Sequence, residues 1–201
     1  MTSRILIALL ALSPVVLAGC SAAGVAVGAG ATAGVAAAEE RGLDGALKDA
    51  RISTTINEAW LRHDAKMFDA LNLQIYEGRV LVSGALADEA KRDEAIRIAW
   101  QAPGVVDVIN EIRTEGEPGF ESATQDAWIS TQLNSRLLFT KGVDSINYSV
   151  EVEDGTVYLL GIAQDDVELD KALAVARNTP YVRKVVSHVI TKDDPRRRGG
   201  A

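Results

Sequence analysis

The sequence is poor in the residues that build redox and metal sites. It contains one cysteine, Cys20, and two histidines, His63 and His188. A single cysteine cannot form a disulfide within the chain, and one thiol with two distant histidines does not give the spacing of a zinc or iron–sulfur site. We therefore expect neither a metal site nor a cofactor.

Positive charge and aromatic residues are also scarce. The chain has 21 lysines and arginines against 28 acidic residues, a formal net charge of −7, and only 5% aromatic residues. Proteins that bind a nucleic acid backbone normally carry a basic excess, so the composition argues against nucleic acid as a partner. It does not argue against a neutral or hydrophobic partner.

Motifs of catalysis are missing from the sequence. It has no nucleophile elbow, no phosphate-binding loop with its lysine, and no metal-ligand spacing. Asp165, Asp166 and Glu168 stand where a helix is predicted to begin, and acids at that end of a helix stabilise its dipole. The two histidines are interpreted as ordinary surface residues. We expect no catalytic residues and a protein that is not an enzyme.

The chain contains an internal repeat. Gly78–Gly84 (GRVLVSG) returns 77 residues later as Gly155–Gly161 (GTVYLLG). An acid–glycine step precedes each copy, and such a step is typical of a hairpin turn because glycine adopts positive φ without steric cost. The same offset holds without a gap along both halves, for example from Asp88 to Asp165 and from Pro103 to Pro180. The pattern indicates tandem duplication of one small domain.

Hydrophobic periodicity predicts the order helix, strand, strand, helix, strand in each copy. The predicted elements of the first copy are 44–63, 71–76, 80–83, 90–101 and 105–113, and those of the second are 123–140, 147–153, 156–160, 165–178 and 182–190. We predict an α+β protein with two αββαβ domains, each packing two helices on one face of a three-stranded mixed sheet. The predicted domains are 44–114 and 123–191, with a linker at 115–122 and a disordered tail at 192–201.

Residues 1–19 are typical of an export signal. Arg4 supplies the positive start, and the apolar run at 5–16 is too short to cross a bilayer comfortably. Leu17-Ala18-Gly19-Cys20 resembles the bacterial lipobox, which predicts Cys20 as a lipidation site carrying fatty acyl chains such as palmitate. Several acyl chains make a durable membrane anchor. The alternative is a plain secretory signal with an accidental cysteine. Ser21 after the cysteine is typical of outer-membrane cargo by the enterobacterial sorting rule.

An Ala/Gly-rich segment at 20–43 separates the predicted anchor from the first domain. Its uncharged run at 22–38 has small residues four apart, which suits a glycine-zipper helix at the membrane. The same glycines weaken a helix, which favours a flexible spacer. Both interpretations remain open at this point.

The repeat motifs resemble those of the BON domain family. The resemblance rests on the αββαβ order, on the G-x-V-x-L-x-G hairpin at 78–84 and 155–161, and on the step Pro103-Gly104-Val105 followed by Val108. With the lipobox, the chain resembles outer-membrane lipoproteins that carry two BON domains. The second copy departs from the pattern at Tyr181, where glycine would stand. The resemblance implies a non-enzymatic protein, anchored in the outer membrane and facing the periplasm. It further implies that the second domain binds anionic phospholipid, such as phosphatidylglycerol or cardiolipin, and that the protein supports envelope integrity.

The two copies differ most clearly on one face of their first helices. Helical geometry places Ile52, Ile56 and Trp60, with their counterparts Ile129, Leu133 and Leu137, on a core face. Another face of the second helix carries what we call the aromatic stripe: Trp128, Gln132, Ser135 and Phe139. The first copy has Arg51, Thr55, Glu58 and Arg62 at these positions.

The aromatic stripe suits the headgroup region of a bilayer, where aromatic rings partition well. Leu138 flanks it, and Arg136 and Lys141 are placed to pair with lipid phosphates. The predicted phospholipid-binding set is therefore the stripe with Arg136, Leu138 and Lys141. One alternative is that Trp128 and Phe139 pack against the first domain or the linker, including Phe120. Another is a lipid-anchored adaptor whose stripe docks an envelope protein partner.

Overall fold

The helices and strands follow the same order in both repeats. The structure is a computed structural model that describes residues 34–114 and 120–200, and residues Ala36–Ala201 form one compact unit. The first repeat contains α1 (Gly42–His63), α2 (Ala65–Ala70), β1 (Leu71–Tyr76), β2 (Arg79–Ala85), α3 (Glu89–Trp100) and β3 (Asp107–Arg113). The second contains α4 (Phe120–Phe139), a 3₁₀ helix (Ser145–Asn147), β4 (Tyr148–Glu153), β5 (Thr156–Ala163), α5 (Asp166–Arg177) and β6 (Lys184–Thr191). A further 3₁₀ helix spans Pro195–Gly200.

Each repeat forms its own three-stranded mixed sheet. The strand orders are β1-β2-β3 and β4-β5-β6, with an antiparallel first pair and a parallel second pair. The central strand is therefore the second in sequence, and the helix between the second and third strands makes the parallel crossover. The predicted α+β class and the mixed sheets are confirmed.

The hairpin turns have the geometry that the acid–glycine steps predict. Backbone φ is +52° and +72° at Glu77 and Gly78, and +48° and +70° at Asp154 and Gly155. Positive φ at both central residues is the type I′ pattern that matches the twist of antiparallel strands.

A buried aspartate of the first helix holds each turn. The carboxylate of Asp49 accepts hydrogen bonds from the amides of Glu77 and Gly78 at 2.9 and 2.8 Å. Asp126, 77 residues later, accepts the equivalent bonds from Asp154 and Gly155 at 2.6 and 2.7 Å. These bonds fix the angle at which the helix crosses the hairpin, because a carboxylate with two amide donors has little freedom.

The second glycine of each motif has a different role. Gly84 and Gly161 have φ of +120° and +145°. A Cβ atom at either position would collide with a backbone carbonyl oxygen, that of Ala70 at Gly84 and that of Asn147 at Gly161. The motif thus has one glycine for the turn and one for the close approach of the preceding segment.

One hydrophobic core lies between the helices and the sheet in each repeat. The predicted core residues are confirmed: Ile52, Ile56, Trp60, Ile129, Leu133 and Leu137 are each no more than 3% exposed. The indole Nε1 of Trp60 donates to the carbonyl oxygen of Ala95 at 3.1 Å, which satisfies the one polar atom that this ring buries.

The opposite faces of the two sheets pack against each other. Their shared core is formed by six buried residues: Tyr76, Leu81, Tyr158, Leu160, Ile162 and Ile190. Residues of β2 and β5 alternate between this core and the helix-facing cores, so both strands are buried along nearly their whole length. The central strand of each sheet is therefore covered on both faces.

The sheet–sheet interface has approximate two-fold symmetry. Gln74 Nε2 donates to Glu151 Oε2 at 3.0 Å, and His188 Nε2 lies 2.9 Å from Glu111 Oε1. Each pair joins repeat-equivalent positions, as happens near a two-fold axis between like domains. The interpretation of His188 as an ordinary surface residue is therefore wrong, because its side chain is 22% exposed and pairs with the first domain.

Three local features differ from the sequence-based expectations. The short helix α2 was not predicted, although Asp64 caps it by accepting from the amide of Lys66 at 2.9 Å. The third strands begin two residues later than predicted, because Val105–Val106 and Val182–Arg183 still belong to the turns that follow the second helices. At the tail predicted to be disordered, Arg197 Nη2 donates to Glu77 Oε1 at 2.7 Å, and this bond ties the last 3₁₀ helix to the first hairpin.

The end of the predicted spacer also contacts the second repeat. Glu40 accepts hydrogen bonds from Lys192 Nζ at 2.8 Å and from Gln164 Nε2 at 2.9 Å. The predicted signal, the lipidation site Cys20 and most of the spacer lie outside the described residues, as do residues 115–119 of the predicted linker. Residues 120–122, predicted to be linker, already belong to α4, which therefore begins three residues earlier than predicted.

Candidate membrane-binding surface

The aromatic side chains of α4 lie on its outer face. Phe139 is 82% exposed, Leu138 61% and Trp128 41%, whereas the core face of the same helix is buried. Trp128 and Phe139 are about three helical turns apart. Two aromatic residues therefore stand near opposite ends of one exposed helix face.

Two polar members of the predicted set, Ser135 and Arg136, lie at a shallow cleft between α4 and α5. Ser135, Arg136 and Phe139 line this cleft of about 480 Å³, with Asn178 on the opposite side. Arg136 Nη1 donates to the carbonyl oxygen of Asn178 at 2.9 Å, which holds the guanidinium at the rim. Gln132 is half-buried between the two aromatic ends of the stripe.

Lys141 completes the predicted set just after the helix. Its side chain is exposed and makes no ion pair with any residue in the described part of the chain. Lys141 therefore supplies a positive charge beside Phe139 that is available to an anionic surface.

Tyr181 belongs to this surface, although no periodic pattern in the sequence predicts a role for it. Its ring contacts Trp128 edge-on, with 5.3 Å between ring centroids, and is 63% exposed. Its φ of +68° is in the left-handed region, where a residue with a Cβ is strained by about 1–2 kcal/mol. The equivalent residue of the first repeat is Gly104, with φ of +96°. The signal in the sequence was the paired change from Arg51 and Gly104 to Trp128 and Tyr181.

The structure places the aromatic stripe away from the sheet–sheet interface. The ring of Trp128 packs on Tyr181 of its own repeat, and most of Phe139 is accessible to solvent. The core between the sheets is built from strand residues, none of which belongs to α4. The alternative that these aromatic residues are buried against the first domain is therefore not supported by the described residues.

The first repeat presents a polar face at the same place on α1. Arg62 Nη1 pairs with Glu58 Oε2 at 3.3 Å, and the Thr55 hydroxyl donates to the carbonyl oxygen of Arg51 at 2.9 Å. Exposed ion pairs of this kind stay hydrated and contribute little to stability. The two aromatic side chains of this face therefore belong to the second repeat, whereas Leu61, at the position equivalent to Leu138, is exposed in the first.

The acidic cluster at the start of α5 is used within the fold. Asp165 accepts from the amide of Glu168 at 2.8 Å, and the buried Glu168 accepts from the amides of Asp144 and Gln164 at 2.8 and 2.7 Å. This agrees with the capping role predicted for these acids. Among residues 34–114 and 120–200, no three histidine, cysteine or acidic side chains are grouped so that they would hold a metal ion.

No helix in the described ranges combines the length and the apolar character needed to cross a bilayer.

The fold and this surface define a protein of two fused αββαβ repeats, of which the second carries an exposed aromatic helix face. The BON domain family matches residues 48–116 and 125–193, which together make up more than half of the chain. The chain belongs to the BON domain family.

Three relatives extend this comparison. An uncharacterized protein in the gshII 5′ region of Anaplasma centrale is 35% identical over 76% of this chain and all of its own length. A 21 kDa hemolysin of Actinobacillus pleuropneumoniae is 33% identical over 64% of each chain. The outer membrane lipoprotein DolP of Haemophilus influenzae is 29% identical over 90% of this chain and 92% of its own.

Proposed function

We propose that this chain is a non-enzymatic envelope protein that binds anionic phospholipid through the aromatic stripe of α4. The observation that carries the proposal is the exposure of Phe139, Leu138 and Trp128 on one helix face of a chain with few aromatic residues. An exposed apolar patch bordered by polar residues marks an interaction site. The name of the Haemophilus influenzae relative, an outer membrane lipoprotein, supports a location in the cell envelope.

The charges around the stripe favour an anionic bilayer. Lys141 and Arg136 border Phe139, and each cation near an anionic surface contributes about 1 kcal/mol. The protein as a whole has a net charge of −7, so long-range attraction does not bring it to such a surface. A zwitterionic lipid carries a headgroup cation that offsets its phosphate, whereas phosphatidylglycerol and cardiolipin do not, so local pairing of these two cations favours the anionic lipids.

Acyl chains on Cys20 would hold the protein at the outer membrane, facing the periplasm. The segment before α1 then sets the distance between that anchor and the stripe. Binding by the stripe adds a second membrane contact, and two contacts on one molecule raise the effective affinity of each. In this proposal the lipid anchor keeps the protein at the membrane, while α4 orients the two repeats on the membrane surface.

Co-sedimentation of residues 36–201 with vesicles tests the lipid site without the anchor. We expect binding to vesicles containing phosphatidylglycerol or cardiolipin and much weaker binding to phosphatidylcholine. The double change Trp128→Ser with Phe139→Ser alters no charge and removes about 2 kcal/mol of apolar burial, so affinity should fall roughly thirtyfold. Circular dichroism and thermal melting of each variant establish that it is folded.

A matched control removes exposed apolar side chains from the first repeat. Leu61 and Trp100 are 51% and 50% exposed, and their change to serine should leave vesicle binding within about twofold of the starting fragment. If the folded starting fragment does not bind anionic vesicles, the lipid site is excluded and Cys20 is the remaining predicted membrane contact. The stripe would then be assigned to docking of an envelope protein partner.

A further inference from the structure

A second surface, in the first repeat, has the features of an anion site. An open groove of about 960 Å³ runs between α1, the β1–β2 turn and the segment after β6. Seven basic side chains line it against three carboxylates, in a chain whose acidic residues outnumber its basic ones. Concentration of positive charge in a concave surface raises the local concentration of anions.

Arg79 is the unusual member of this lining. It is the first residue of β2 and only 8% exposed, yet its guanidinium makes no hydrogen bond or ion pair with any residue that the structure describes. Buried charges in proteins are normally paired, because loss of water around an ion is costly. Burial, and secondly the charge of Arg196, lowers the pKa of Arg79.

Two of the three acids whose charges act on Arg79 are already paired with other arginines. Asp194 accepts from Arg196 Nη2 at 2.6 Å, and Glu77 accepts from Arg197 Nη2 at 2.7 Å. Asp107, the third acid, is exposed to solvent and forms no ion pair with any residue of the described ranges. Arg79 therefore lines the groove with its charge uncompensated by a direct partner.

Two other cations of the groove also lack an ion-pair partner among the described residues. Lys48 and Arg51 are exposed on α1, and neither forms an ion pair with a described residue. The remaining basic side chains of the lining are bonded to carboxylates. The groove thus combines three unpaired cations with an apolar floor that includes Ile52 and Val106.

The repeat comparison indicates that this site is specific to the first domain. At the equivalent places the second repeat has Thr156 for Arg79, Trp128 for Arg51 and Tyr181 for Gly104. In the second repeat, the contact between Trp128 and Tyr181 lies where the first repeat has an open, basic groove. The two copies have therefore diverged into an aromatic surface and a cationic groove.

We propose that the groove of the first repeat binds a phosphate-bearing ligand, with Arg79 as the central contact and Lys48 and Arg51 at its rim. A guanidinium is suited to this role because its N–H groups match two oxygens of one phosphate. The apolar floor suits a ligand with a carbon skeleton beside the phosphate. Such a phosphate belongs either to a lipid headgroup or to a water-soluble phosphorylated compound.

Isothermal titration calorimetry with pyrophosphate tests the site on the full chain in non-ionic detergent. We expect saturable binding that Arg79→Gln weakens about tenfold or more. The control Arg62→Gln removes the same charge from an exposed position of α1 outside the groove and should change affinity less than about twofold. Absence of saturable binding, or equal losses in the two variants, would overturn the proposal.

Thermal melting gives an independent readout. Without ligand, Arg79→Gln should melt at or above the temperature of the unchanged chain, because it removes an unpaired buried charge. Pyrophosphate should raise the melting temperature of the unchanged chain and not that of the variant. If Arg79→Gln does not fold, the exposed pair Lys48→Gln with Arg51→Gln takes its place, and unchanged pyrophosphate binding in that variant would contradict the proposal.

Two further titrations distinguish the sources of phosphate. They use the Trp128→Ser, Phe139→Ser background, so that the aromatic stripe does not contribute. Glycerol 3-phosphate represents a soluble ligand, and phosphatidylglycerol vesicles represent a headgroup in a bilayer. Arg79-dependent binding to either supports the site and identifies its source, whereas Arg79-independent binding to both contradicts it.

Discussion

At position 181 the second repeat has a tyrosine on its exposed surface, although glycine would suit the backbone conformation better. A glycine at this position costs nothing in backbone energy, as Gly104 does in the first repeat, whereas tyrosine is held at a φ of +68°. Strained residues of this kind persist where the surroundings hold them, and they cluster at functional sites. The strained conformation of Tyr181 is accompanied by the edge-on contact of its ring with Trp128.

Tyr181→Gly is expected to weaken vesicle binding without unfolding the second repeat. Loss of an exposed aromatic ring should cost about 1 kcal/mol of membrane affinity, or roughly a fivefold change. Relief of the left-handed strain offsets the lost contact with Trp128, so the free energy of unfolding should stay within about 1 kcal/mol. Vesicle co-sedimentation and urea unfolding measure the two quantities. Unchanged vesicle affinity would mean that Tyr181 does not contribute to membrane binding.

Residue-level roles were only partly predictable from the sequence. The outward position of Trp128, Leu138 and Phe139 follows from helical periodicity, because the core residues of α4 are so regular. Tyr181 is distant in sequence from α4, and no periodic pattern links it to Trp128. The burial of Arg79 was not predictable for another reason. An arginine at the start of a strand is ordinarily expected at the solvent-exposed edge.

At the scale of the elements, each first helix is joined to its hairpin by one aspartate. Both carboxylates are buried, and their two amide partners lie in the tight turn. The sequence predicted the helices and the turns separately. It did not predict the bond between them, because an aspartate within a helix is ordinarily expected on the solvent-exposed side.

Asp126→Ala should destabilise the second repeat substantially. The change leaves the amides of Asp154 and Gly155 without their partner, and such a loss costs about 2–4 kcal/mol. Asp170→Ala, at an exposed position of α5, should shift stability by no more than about 0.5 kcal/mol. Urea midpoints measured by circular dichroism compare the two variants. Similar midpoints would mean that the turn is held by its backbone geometry alone.

At the scale of the whole molecule, the two repeats behave as halves of one structure. Tyr158, Leu160 and Ile162 would form an exposed apolar strand face if the second repeat stood alone. Periodicity and turn chemistry are local, so they were enough to predict the two repeats and the order of their helices and strands. They could not assign the outer sheet faces to each other, because apolar residues on both sides of a strand are also found where helices cover both faces.

A pH-dependent test addresses the polar part of this interface. Burial raises the pKa of Glu151, and the nearby charge of Glu153 acts in the same direction, although the hydrogen bond from Gln74 opposes them. A carboxyl whose pKa is higher in the folded state destabilises the fold at pH above that value, and the effect disappears below the unfolded value of 4.5. Glu151→Gln keeps the acceptor for Gln74 without the charge. It should therefore raise the free energy of unfolding at pH 8, and this gain should shrink as the pH falls to 4.5. The control Glu89→Gln, at an exposed site, should show little gain at either pH. Urea unfolding at the two pH values measures this difference, and a Glu151→Gln variant less stable than the unchanged protein at pH 8 would mean that the ionised carboxylate strengthens the interface.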